Sequence, residues 1–105
     1  MKTEIAPHYL RMKKQYPGFF EAVEKLGEAT AQAGPLNRKC TELIRLAASL
    51  ANGSEGGVHS HCKRALEAGA SAEEIRHAVL ALTNTIGFPR TMAGLSWIND
   101  ILEHE

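Results

Sequence analysis

Glycine and proline divide this chain into stretches of helical length, and between them the β-branched residues are scattered and do not alternate with polar ones. That punctuation predicts an all-α fold of about five helices. After a short, partly basic leader, Tyr16-Pro17 opens a segment in which Phe19, Phe20, Val23, Leu26 and Thr30 recur at helical spacing until Gly34-Pro35. A second segment, Leu36 to Ala51, carries a stripe of Leu36, Cys40, Leu43, Ile44, Ala47 and Ala51, which Leu46 and Leu50 broaden on one side. The run Asn52-Gly53-Ser54-Glu55-Gly56-Gly57 then turns the chain, because an interior glycine costs a helix about 1 kcal/mol. Val58, His61, Cys62, Ala65 and Leu66 form the third periodic set, with Gly69 placed as its left-handed terminator. Ser71-Ala72-Glu73-Glu74 reads as a capping box leading into Ile75, Ala78, Val79, Leu82 and Ile86. Gly87-Phe88-Pro89 stops that helix and starts the next, through Met92, Leu95, Trp97, Ile98 and Leu102.

With 105 residues, 44% of them apolar, the chain is expected to be one domain, residues 1–105, with a real core. Five short helices bury one another only partly, so the broad stripes predict a homo-oligomer. Twelve Lys and Arg balance twelve Asp and Glu, which argues against nucleic acid as a partner. Nothing in the sequence reaches the roughly 20 apolar residues of a membrane span, and MKTEIAPHYLRMKKQYP lacks the apolar centre of a signal peptide. A cytoplasmic protein without a membrane partner is the expectation. Two widely separated cysteines, Cys40 and Cys62, are too few for a disulfide scaffold.

His61 shares the inward side of its helix with Val58 and Ala65, whereas His59 and Lys63 point elsewhere at 100° per residue. It is read either as a core histidine bonded to a backbone carbonyl or as a proton-transfer group. A helix hairpin turning near Gly53 sets Glu42 at the level of Arg64, about one turn, ~5 Å, from His61. Spacing alone leaves Glu42 at the margin of the stripe, as a surface carboxylate pairing with Arg38 or Arg45. The same hairpin sets Cys40 one turn from Cys62, either as buried thiols or as a redox pair. His8, His77 and His104 have no mutual spacing suited to a metal, and His59-x-His61 aims its two rings about 160° apart, so no metal site or cofactor is expected.

Three stretches, Glu42-Leu43-Ile44-Arg45-Leu46-Ala47, His61-x-x-x-Ala65-x-x-x-Gly69-Ala70-Ser71-x-Glu73-Glu74-Ile75 and Gly87-Phe88-Pro89, together resemble the carboxymuconolactone decarboxylase and alkyl hydroperoxidase D-like family. The resemblance covers residues 36–102 and is most specific from His61 to Ile75. It implies a small helical protein assembled as a homotrimer or homohexamer and acting on a small molecule. It also implies that Glu42 turns inward to partner a catalytic His61. The peroxidase branch of the family adds a Cys-x-x-Cys pair, whose positions here hold Ser54 and Gly57. Neither residue forms a sulfenate or a disulfide, so the resemblance favours the acid–base chemistry of the decarboxylase branch. Ser54 is then an accessory hydroxyl at a helix start, and Gly57 leaves a small pocket beside the imidazole or merely lengthens the turn. Two other readings are peroxiredoxin activity by a relocated Cys40/Cys62 dithiol and a degenerate, non-catalytic oligomer.

Overall fold

The computed structural model describes residues 7–103; the start of the basic leader and His104 lie outside the described residues. Seven helices are found among them: α1 (Pro7–Gln15), α2 (Pro17–Ala31), α3 (Arg38–Ala51), α4 (Glu55–Glu67), α5 (Ala72–Leu80), α6 (Thr83–Ile86) and α7 (Phe88–Leu102). No helix among the described residues is long and apolar enough to cross a membrane. The helices fall into two compact units, α1–α2 and α3–α7.

The expected count of five rises to seven for two reasons. Part of the leader is itself helical, as α1. The helix expected to run from Ser71 to Ile86 is interrupted at Ala81-Leu82, which separate α5 from the short α6. The Thr83 hydroxyl donates to the Leu80 carbonyl at 2.8 Å and satisfies a group the break would otherwise leave open.

In the first unit, Pro17 begins α2 directly after Tyr16, and Lys13 of α1 pairs with Glu24 of α2 at 2.8 Å. Tyr9 and Phe20 meet edge to face with centroids 5.3 Å apart. Two helices cannot enclose a core, and Phe19, Val23 and Leu26 stay exposed.

The second unit is built around Leu46, Leu50, Val58, Cys62, Ala65, Ala70, Ile75, Val79, Ile98 and Ile101. Burying each large aliphatic side chain stabilises the fold by about 1.5–3 kcal/mol. Helix α4 lies between α3 and α7. Gly94 of α7 lets α3 come close, since a Cβ there would run into the Leu50 side chain. Arg90 of α7 donates from Nη1 to the Leu50 and Ala51 carbonyls at 3.0 and 3.2 Å, placing a cation at the C-terminus of α3. The capping box at Ser71 is complete, with Ser71 Oγ accepting from Glu74 N and Glu74 Oε1 accepting from Ser71 N. Lys39 of α3 pairs with the other Glu74 oxygen at 3.0 Å.

The apolar stripe of α3 is rotated from its expected position. Glu42, Leu46 and Leu50, spaced four apart, are the buried residues, while Leu36 and Ile44 are exposed. This rotation carries Glu42 into the core.

Candidate active site

Glu42 is 1% exposed, among the buried leucines of α3. An unpaired carboxylate in such a place would cost several kcal/mol, so its position requires partners. Oε1 lies 2.8 Å from His61 Nδ1, and Oε2 accepts from Arg45 Nη1 at 3.1 Å. A carboxylate offers only acceptors, so the imidazole presents its Nδ1–H to Glu42, and Nε2 has no protein partner among the described residues. The His61 side chain is 21% exposed, so the pair joins the interior to solvent.

Local sequence accounts for each position. Arg45 follows Glu42 by three residues, on the same face of α3. Ser54 caps α4 by accepting from Gly57 N at 3.0 Å, so the helix starts early enough to place His61 almost two turns along it, facing α3. Its hydroxyl is thereby committed to the cap. A Cβ at Gly57 would lie 2.7 Å from Ser49 Oγ and 2.9 Å from Ser54 Oγ. The room expected beside Gly57 is filled by these two hydroxyls. Glycine at 57 accommodates Ser49 packing, a role no reading of spacing had assigned to Ser49.

A cavity of about 280 Å³ adjoins the buried carboxylate, lined by Arg38, Glu42, Arg64, Glu67 and Ala68. Arg38 is one turn before Glu42 on α3, and Arg64 one turn after His61 on α4, so the pair that sets the site also sets two guanidinium groups at its edge. His61 is not among the lining residues; Glu42 links the two. The sequence offered a signal for both arginines in their spacing from Glu42 and His61, but only once Glu42 is known to turn inward.

Neither cysteine is in a disulfide. Cys62 is 0% exposed inside the core, closed to a dissolved oxidant, and Cys40 is partly buried.

The family's sequence profile for carboxymuconolactone decarboxylases matches residues 17–100. The chain belongs to the carboxymuconolactone decarboxylase family. An uncharacterized protein of Methanocaldococcus jannaschii is 30% identical over 90 residues, covering 86% of this chain and 84% of that protein. No solved structure matches the chain. Within the family fold, the Glu42–His61 pair occupies facing helices, and Ser54 and Gly57 stand at the start of the second of them.

Proposed function

We propose that this carboxymuconolactone decarboxylase family protein is an acid–base enzyme acting on a small organic acid, with His61 transferring the proton and Glu42 orienting it. The observation that carries this reading is the 2.8 Å contact between His61 Nδ1 and a carboxylate that is almost wholly removed from water. Such an anchor fixes the ring's tautomer and orientation, leaving Nε2 to exchange a proton with substrate. Arg38 and Arg64, which line the adjoining cavity together with Glu42 and Glu67, are the groups assigned to hold the substrate's carboxylate, since a guanidinium binds a carboxylate through two parallel hydrogen bonds.

For a carboxylated lactone the step balances without a redox partner. The bond from ring carbon to carboxylate breaks, its electron pair moves into the conjugated carbonyl as an enolate, and carbon dioxide leaves. A proton from His61 Nε2 forms the new C–H bond, and solvent restores the imidazole's proton. Glu42 holds the ring throughout. The test is release of carbon dioxide from carboxymuconolactone by the purified protein. Arg64→Ala is expected to raise KM with a smaller effect on kcat. No release from this compound or from other small lactone acids would refute the reading and leave the non-catalytic oligomer.

Homo-oligomeric assembly belongs to the same proposal. Phe88 and Met92, one turn apart on α7, and Leu80 and Ile44 leave apolar surface open, Phe88 being 64% exposed. A homotrimer or homohexamer would cover it, and light scattering of the purified protein reads the subunit number directly.

A further inference from the structure

Helix α4 carries two histidines two residues apart, and they reach carboxylates on opposite neighbours. His61 turns to Glu42 of α3, and His59 turns to Asp100 of α7, with Nε2 2.9 Å from Asp100 Oδ2. On the second side a third group is present: Glu55 Oε2, one helical turn before His59, lies 4.0 Å from the same Nε2. One ligand atom from each of Glu55, His59 and Asp100 lies within 4.8 Å of the other two.

We propose that Glu55, His59 and Asp100 form a binding site for one first-row divalent metal ion, separate from the Glu42–His61 pair. An ion bonded to nitrogen and oxygen at ~2.0–2.2 Å holds neighbouring donors about 3 to 3.5 Å apart. His59 and Asp100, 2.9 Å apart, are close to that spacing, and the exposed Glu55 side chain, 4.0 Å from His59 in the first turn of α4, can swing toward them by about 1 Å. The backbone beneath the donors is held in place by the core. Val58, next to His59, and Ile98 and Ile101, flanking Asp100, are fully buried, so the two main ligands sit on packed helices. His59 and Asp100 are themselves largely shielded, with side chains 28% and 31% exposed.

One imidazole and two carboxylates, without a thiolate, suit zinc, manganese, iron(II), cobalt or nickel over copper(I) or an iron–sulfur cluster. Three protein donors leave coordination positions open to water or to a small anion. Bound there, the ion ties α4 to α7 across the core. This set was not found from the sequence, where no metal site is expected: Glu55 and His59 are one helical turn apart, but Asp100 is 41 residues beyond His59, out of reach of a spacing argument.

Metal-free protein, dialysed against a chelator, is titrated with zinc chloride by calorimetry, and the histidine ring signals are followed by NMR with manganese(II) as the paramagnetic probe. The expected result is saturable binding of one zinc ion per chain, with a melting temperature that rises with zinc and His59 signals broadened first. Glu55→Gln and Asp100→Asn each weaken zinc binding about tenfold or more, and His61→Gln leaves it unchanged. Glu55 is exposed and outside the core, so its variant stays folded and decides the matter if Asp100→Asn does not fold. Absence of saturable zinc binding overturns the site. So does zinc affinity that survives Glu55→Gln, or that falls with His61→Gln instead.

Discussion

Removing the contact between Glu42 and His61 has a calculable cost, and a double-mutant cycle measures it. Glu42→Leu extends the Leu46–Leu50 stripe with a side chain of similar volume, so much of the lost polar interaction is offset by apolar burial. The groups left behind, His61 and Arg45, have side chains 21% and 24% exposed and can turn toward water. The single variant therefore gives a small net change of either sign. His61→Leu alone is different, because it leaves a buried carboxylate with only Arg45 to satisfy it, and a loss of about 1–3 kcal/mol follows. In the double variant neither Glu42 nor His61 is left without the other, and Arg45 stands as it does in Glu42→Leu. The coupling energy, from urea unfolding of the four proteins with the slope held common, is expected at ~1.5–3 kcal/mol, the range for a hydrogen bond to a charged group. A coupling below about 0.5 kcal/mol would refute the claim that the two side chains meet.

The remaining predictions concern the frame of the site. The Glu74 carboxyl is held below the usual carboxylate range, first by the Ser71 backbone amide and then by Lys39. Its folded value being depressed, the contribution is full above the unfolded carboxyl's titration and is lost as pH falls through the folded value; Glu74→Gln should flatten the acid limb of the stability curve, and an unchanged limb would exclude the capping box as its source. Ser71→Ala is expected to cost about 1 kcal/mol in urea unfolding, against none if the cap is idle. Gly94→Ala, which drives a methyl group into Leu50, should cost about 1–3 kcal/mol and lower the melting temperature; wild-type stability would contradict the close approach of α3 and α7. In native protein a thiol reagent should modify Cys40 ahead of Cys62, with Cys62 reacting only on unfolding, and peroxide should produce no Cys40–Cys62 disulfide by mass spectrometry. Rapid labelling of Cys62, or that disulfide, would return the relocated dithiol to consideration.

Local signals in the sequence were legible wherever one residue type performs one local task. Proline at the start of α2, Gly69 in the left-handed region at φ +100° and the capping box of α5 stand where the spacing places them. The orientation of α3 was harder to read. Leu36 and Ile44 weight a stripe that the folded unit leaves exposed, and only the long-range packing of Leu46 and Leu50 decides which face turns inward. Glu42 followed that face, so spacing alone left it at the surface while the family resemblance turned it inward. Ser49 beside Gly57, Arg90 on the end of α3, and Asp100 beside His59 are contacts between segments far apart in sequence, for which periodicity carries no signal. The break between α5 and α6 falls on Ala81-Leu82, two good helix formers, and the apolar spacing of Leu82 and Ile86 continues the helical pattern across it.

The most direct measurement of the central claim is kcat for carbon dioxide release in His61→Gln, with circular dichroism and subunit number matched to the wild-type protein. Loss of the proton-transfer group predicts a fall in kcat of about 100-fold or more, with KM little changed. A His61→Gln protein that turns over substrate at the wild-type rate would contradict the account, whatever its fold retains.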